Sequence, residues 1–342
     1  MEKYYFVTFL SSLILVFLLT PLAKRAAFWF DILDHPRAPV KVHKEPVPYL
    51  GGVAIFLAFL IPVIVGFFLL NIPEEGKKEL SGILLGGILI LALGLADDLK
   101  GLSAKTKLFV ETIAAILLIA FGVRLKFLPF WPSIPLTILW VVGITNAFNI
   151  VDIMDGLSIG VAFIASLALI AIALPGNQAF VILACVALAG ASLGFLRYNF
   201  FPARIYMGDA GSLFLGFTMA ALAIGTSYTA VNRIALFAPI LILGVPIYDT
   251  FLITALRTKK GRSILRASND HFALRLVALG LSRRKTVLIV YFISILLAIA
   301  GIVVTLVKIK WAILIYCLVI LLSFLVGHRL ARIEMKEEAL KK

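Results

Sequence analysis

The chain has 342 residues, 62% of them hydrophobic and 15% charged, with a mean hydropathy of +1.08 and a formal net charge of +14. A soluble globular domain carries about a quarter charged residues, so this composition excludes one and indicates an integral membrane protein. The apolar runs have the length of helical spans, about 20 residues each, rather than the alternating ten-residue segments of a barrel.

Breaks at charge clusters, prolines and glycines predict eleven spans, near 4–23, 49–70, 80–97, 107–122, 134–151, 157–174, 178–196, 210–227, 233–255, 286–306 and 311–328. The expected fold is therefore an all-α integral membrane protein of about eleven transmembrane helices, a single polytopic domain over 1–342 without internal repeats. The opening run, KYYFVTFLSSLILVFLLTPLAKR, is long, and no small-residue cleavage site precedes its basic pair, so it reads as an uncleaved first span and not as a secretory signal. The proline-rich connection that follows sets Asp34, Lys41 and His43 ahead of Gly51-Gly52.

The third span closes on Asp97-Asp98, with Lys100, Lys105 and Lys107 just beyond. Neighbouring helical residues point about 100° apart, so the two carboxylates have different partners. One suits a metal and the other a proton, and the plainer alternative is an interfacial helix end neutralised by lysine. The fifth span leads into Asn146, Asn149, Asp152 and Asp155, spaced by three, and then Gly156. On a helix that step makes one polar stripe. Two amides and two carboxylates in ten residues exceed the Ser, Thr or single Asn typical of membrane helix packing. The carboxylates suit Mg²⁺ or substrate orientation, and the amides suit a base or an N-acetyl group.

The segment after the seventh span holds Asn199, Arg204, Tyr206, Gly208, Asp209, Gly211 and Ser212. Arg204 offers a bidentate phosphate donor and Tyr206 a stacking surface. Asp209 stands where the eighth helix begins, which leaves an N-cap role open beside a chemical one. Asp249, inside the ninth span, reads as a buried structural hydrogen-bonding group. The 257–285 loop carries nine basic residues, suited to anionic lipid head groups. Asp270, His271 and Arg275 interrupt an amphipathic stretch there, which predicts a short surface helix presenting polar groups to an active site. Cys185 and Cys317 lie in apolar runs without metal-ligand spacing and read as small buried hydrophobes.

Placing the first connection in the cytoplasm distributes lysine and arginine three to one toward that side, so the N-terminus is expected outside and the C-terminus in the cytoplasm. All nine aspartates (Asp31, Asp34, Asp97, Asp98, Asp152, Asp155, Asp209, Asp249 and Asp270) then fall on or near the cytoplasmic side. Carboxylates are costly at membrane depth and are functional candidates there. A face with basic residues and clustered acids suits a Mg²⁺-bound, phosphate-rich substrate, with active-site loops near 24–48, 98–107, 150–157, 197–210 and 257–285.

Taken together, these motifs resemble the polyprenyl-phosphate N-acetylhexosamine-1-phosphate transferases, glycosyltransferase family 4. The resemblance runs in order from about residue 34 to 285. It covers Asp34, Lys41 and His43 with Gly51-Gly52; Asp97-Asp98 with Lys107; Asn146 to Leu157; Asn199 to Ser212; and the loop around His271 and Arg275. It implies transfer of a sugar 1-phosphate from a UDP-N-acetyl sugar to undecaprenyl phosphate with release of UMP, in a multi-pass protein of the bacterial inner membrane with a cytoplasmic active site. It also implies Mg²⁺, with Mn²⁺ as a substitute, and membrane lipids as surroundings. No nucleic acid partner is implied, and a homodimer is permitted.

By the same resemblance Asp209 is the main metal ligand, with Asp98 and Asp152 beside it. Asp97 or Asp98 is the base or orienting group for the lipid phosphate. Asn149, Asp152, Asp155, Asn199 and Tyr206 hold nucleotide and metal, with Asn146 among the substrate-binding residues. Lys41, His43, Lys107, Arg204, His271 and Arg275 also belong to that set, the last four as phosphate contacts. Direct displacement is favoured over a covalent aspartyl phosphate. Eleven spans, and Asp270-His271-Phe272 in place of a triple-histidine motif, favour the undecaprenyl-phosphate N-acetylglucosaminyl branch over the muramoyl-pentapeptide branch. The leucine at 274, where a second histidine is common, leaves another UDP-N-acetylhexosamine as the alternative donor. Glu111 stands where the family commonly has glutamine, which alters the charge near Lys107. An ion-coupled transporter is the rival of another class, and it would place the acids near the midplane.

Overall fold

The computed structural model describes residues 2–34, 46–259, 261, 270–333 and 335. These residues pack as two compact units, the first comprising 2–34 and 46–227 and the second beginning at 228.

The first unit contains α1 (Glu2–Trp29), the two-residue strands β1 (Leu33–Asp34) and β2 (Val47–Pro48), α2 (Gly51–Leu69), α3 (Glu74–Lys100), α4 (Ala104–Ala120), α5 (Phe130–Val151), α6 (Leu157–Ala173), α7 (Ala179–Asn199) and α8 (Gly208–Gly225). The strands pair antiparallel with Leu33 opposite Pro48. Helices α7 and α8 are apolar on nearly every face and lie buried, as such helices must. Helices α1, α2 and α6 pack on α7, while α2, α3 and α5 pack on α8. Glycine sets the α3–α8 distance: a Cβ at Gly94 would overlap the backbone of Asp209 and Ala210. The start of α8 is thereby held against the last turns of α3.

Local chemistry explains where these helices begin and end. Helix α3 stops at Gly101, which is left-handed (φ 64°), and Asp97 Oδ1 accepts from the Leu102 N–H at 2.6 Å. Ser103 then caps α4 by accepting from the Thr106 N–H. The first amides of α2 donate to the carbonyls of Tyr206 and Met207, at 3.0 and 2.9 Å, which anchors the turn before α8. Helix α5 ends at Val151, so the expected polar stripe is helical only through Asn146 and Asn149. Asp152 is the C-cap, and Asp155 sits in a turn closed by left-handed Gly156 (φ 78°).

The second unit comprises a 3₁₀ turn (Arg233–Phe237), α9 (Ala238–Ile242), α10 (Gly244–Lys259), α11 (Phe272–Ala278), α12 (Arg283–Leu306) and α13 (Ile309–Ala331). The turn and α9 meet α10 at 73°, so the ninth expected span is not one straight helix but two segments bent at a break. Asn232 caps the turn and donates to the carbonyls of Val304 and Val307, at 2.8 Å each. Asp249 is buried, as expected of a structural group. Its oxygens meet His271 Nδ1 at 2.9 Å and the Phe272 N–H at 2.6 Å. Cys185 is buried, but Cys317 is exposed, because α13 buries only Ala312 and Leu330 of its length.

Helices occupy all eleven expected segments. Among the described residues eight helices are long and apolar enough to cross a membrane, or nine if the bent pair counts as one span. Helices α4 and α6 are shorter, at 17 residues each. The outward faces carry large apolar side chains (Phe6 and Leu18 on α1, Phe292 on α12, Phe324 on α13), a surface for lipid and not for water. The chain is an all-α membrane protein.

Candidate active site

Four of the motif segments meet in the first unit at the beginning of α8. Lys107, from the first turn of α4, places its Nζ 2.6 Å from Asp97 Oδ2 and 3.1 Å from Asp209 Oδ2. Those two carboxylates, 112 positions apart in sequence, lie within hydrogen-bonding reach of each other. Asn149 donates from Nδ2 to Asp209 Oδ1 and to the Ser212 hydroxyl oxygen, 2.9 Å each. Carboxylates this close repel in a weakly solvated setting unless a cation stands with them. Lys107 is that cation here.

Asp98 does something else. Its two oxygens accept from the backbone N–H groups of Asp209 (2.8 Å) and Ala210 (3.1 Å). The cap of α8 is thus supplied by a different helix, and Asp209 is freed from the N-cap role that its position left open. Gly208, at φ 68°, belongs to this arrangement, since a Cβ there would run into the Asp98 carboxylate.

Asp155 and Asn199 turn out to be clamps. Asp155 Oδ2 accepts from the Ala203 N–H at 2.8 Å, while Asn199 accepts from Gly156 N–H and donates to the Ile205 carbonyl, both at 3.0 Å. Together they fix the loop that carries Tyr206. Asn146 donates to Glu111 Oε2 and to the Val142 carbonyl. Asp152 is half-buried, and its carboxyl is pushed up to about 8 by desolvation first, then by the charges of Asp209, Asp155 and Asp98. The charges it feels among the described residues are those of other carboxylates.

Tyr206 is half-buried, with its ring 6.1 Å from that of Tyr49, and its N–H donates to the Pro48 carbonyl. Tyr49 hydrogen-bonds Asp34, and burial, then the Asp34 charge, pushes its hydroxyl up. Nothing in the sequence reading singles out Tyr49, although it lies just ahead of the motif residues Gly51-Gly52. Glu111 was visible as an acid inside an apolar helix, which is always expensive.

The remaining candidates lie elsewhere or are differently engaged. Lys41 and His43 fall outside the described residues. Arg204 is exposed on the loop. In the second unit, the guanidinium of Arg275 is 1% exposed and donates to Asp270 Oδ1 (2.7 Å) and to the carbonyls of Asp270, Leu330 and Ile333. The short helix expected there is α11. It begins after His271, but it turns Arg275 into its own unit.

Among the described residues no three His, Cys, Asp or Glu side chains converge as a ready-made metal cage. Mg²⁺ does not require one, since it is generally held by one or two carboxylates together with substrate phosphates and water. Paired Asp97 and Asp209, with the carboxyl of Asp152 close enough to feel Asp209, fit that pattern.

The model of the family described as "Glycosyl transferase family 4" matches residues 80–227, which end where the first unit ends. The chain is 37% identical to a "probable undecaprenyl-phosphate N-acetylglucosaminyl 1-phosphate transferase" of Bacillus subtilis (strain 168), over 87% of this chain and 84% of that protein. It is 32% identical to a decaprenyl-phosphate N-acetylglucosaminephosphotransferase of Mycolicibacterium smegmatis, over 82% of this chain and 77% of the other. A phospho-N-acetylmuramoyl-pentapeptide-transferase of Desulforudis audaxviator is 30% identical, over 86% and 95%.

Proposed function

The chain belongs to glycosyl transferase family 4, and on that footing we propose that it transfers N-acetylglucosamine 1-phosphate from UDP-N-acetylglucosamine to undecaprenyl phosphate, releasing UMP. The observation that carries this reading is the meeting of Asp97, Lys107, Asn149 and Asp209 at the start of α8. Two phosphate-bearing substrates repel each other, and a site for joining them needs fixed cations and carboxylates that order further positive charge.

Asp209 and Asp97, with Asp152, would hold Mg²⁺, Asp97 taking the place expected of Asp98, whose two oxygens are engaged by the amides of Asp209 and Ala210. When bound, the ion supplies Lewis-acid stabilisation of the phosphate oxygens. Lys107 brings a charged hydrogen-bond donor for phosphate to the same point. Asp98 orients the α8 terminus, whose amides set the position of Asp209. Tyr49 and Tyr206 form an aromatic rim fitted to stack on a nucleobase. Asp155 and Asn199 keep that rim in place through the loop. The lipid phosphate is itself a nucleophile, so direct displacement needs no covalent enzyme intermediate.

The distribution of basic residues supports a bacterial inner-membrane protein with the site on the cytoplasmic side and the N-terminus outside. Single cysteines introduced near each terminus would be labelled by an impermeant maleimide only at the N-terminal end in intact cells. Labelling at the C-terminal end would reverse the orientation.

The transfer itself is tested with purified protein, undecaprenyl phosphate, Mg²⁺ and a panel of UDP-N-acetyl sugars, measuring UMP. The expected result is release with UDP-N-acetylglucosamine exceeding that with the muramoyl-pentapeptide donor. No UMP from any donor would overturn the proposal.

A further inference from the structure

Glu111 stands one turn beyond Lys107 on α4 and is 1% exposed. Its Oε2 accepts from Asn146, whose second amide hydrogen goes to the Val142 carbonyl at 2.9 Å. Its Oε1 is buried and, among the described residues, has no hydrogen-bond partner. A buried acceptor left without a donor is costly, and a carboxylate oxygen more so than most. Such an oxygen persists at a functional site when its donor arrives at another stage.

The donor is close by. Residues four apart on a helix share a face, which stacks Lys107 and Glu111 along the same side of α4. Glu111 lies near enough to Lys107, Asp209 and Asp97 to feel all three charges. In this structure the Lys107 ammonium covers oxygens of Asp97 and Asp209 at 2.6 and 3.1 Å. Those carboxylates are the ones assigned above to a divalent cation, and two cations crowded onto them repel in a weakly solvated site. The lysine side chain is flexible and has three donors, so its ammonium can swing without moving the backbone.

We propose that Glu111 is a positioning residue that receives the Lys107 ammonium when a divalent cation occupies the carboxylates of Asp97 and Asp209. The inference rests on the metal assignment made under the proposed function. Lys107 then has two stations. One neutralises the carboxylates of Asp97 and Asp209, and the other, at Glu111 Oε1, keeps the charge beside the site while opening those carboxylates. Asn146 holds Glu111 by its other oxygen, so that Oε1 stays presented.

The test is a double-mutant cycle on the full-length protein in lipid nanodiscs, with Mn²⁺ as probe and free Mn²⁺ read by electron paramagnetic resonance. Glu111→Gln keeps the size and the Asn146 contact but removes the anion. It is expected to weaken Mn²⁺ binding about tenfold, the weight of one partly screened ionic contact. In a Lys107→Ala background the same change is expected to alter binding by less than about twofold, because no ammonium remains to be moved.

Equal weakening in both backgrounds would mean that Glu111 acts only through its distant charge, and no weakening beside Lys107 would mean that it receives nothing. Either result overturns the proposal. Should Glu111→Gln not fold, as judged by thermal unfolding, Glu111→Asp carries the same cycle: it keeps the charge and shortens the reach by one methylene. Wild-type protein that binds no Mn²⁺ would overturn the metal assignment and this inference together, whereas the transferase reading is decided separately by UMP release.

Discussion

Asp98 and Asp209 are 111 positions apart, yet each depends on the other, and their substitutions should separate stability from chemistry. Asp98 accepts two backbone amides at the α8 terminus, so Asp98→Ala removes a cap worth about 1–2 kcal/mol. Its expected signature is a lower Tm together with lost UMP release. Asp209→Asn keeps the Asn149 neighbour and removes one of several crowded negative charges. Its expected signature is turnover reduced by at least about a hundredfold with an undiminished Tm, as at sites where function is held against stability. Equal loss of Tm in both variants would show that Asp209 is structural. Asp155→Ala and Asn199→Ala belong with neither. They should raise the KM for the UDP-sugar by releasing the Tyr206 loop, with a smaller effect on kcat.

At the scale of elements, the start of α8 is where backbone and side chain constrain each other most. Gly208→Ala would place a Cβ into the Asp98 carboxylate at a residue with φ 68°. The expected cost is about 1–3 kcal/mol, seen as a reduced Tm and a matching loss of UMP release. Gly143→Ala is the control: it lies within α5 with nothing inside 4 Å of the new Cβ, and it should be neutral or stabilising by up to about 1 kcal/mol. Much of this element-level organisation was readable beforehand. Helix positions followed from apolar run length, and Asp97, Lys107, Asn149 and Asp209 stood out as candidates by their places at helix ends, but their meeting at one point was not legible there. What periodicity could not supply was direction. It assigns a face to Asp98, Asp155 and Asn199 but does not reveal that the partners are backbone amides and carbonyls of other segments. Nor could it show that α5 would end inside the Asn-Asp series, since left-handed Gly156 and the turn before it are set by tertiary packing.

For the whole molecule, composition decided the solvent before any residue was assigned, and the exposed apolar faces agree with it. The chemistry described gathers in the first unit, and the family match ends with it at residue 227. Glycine 94 and the Asp98 cap join α3 and α8 by van der Waals contact and hydrogen bonds at the same level. A bilayer thinner or thicker than the spans is accommodated by helix tilt. Two helices fixed to each other in this way must tilt as one body, so the spacing of their carboxylates is insulated from the thickness of the surrounding lipid. Turnover in short-chain and long-chain phosphatidylcholine vesicles should therefore differ by less than about twofold, and an enzyme with Asp98 replaced by Asn should lose that indifference before it loses its fold.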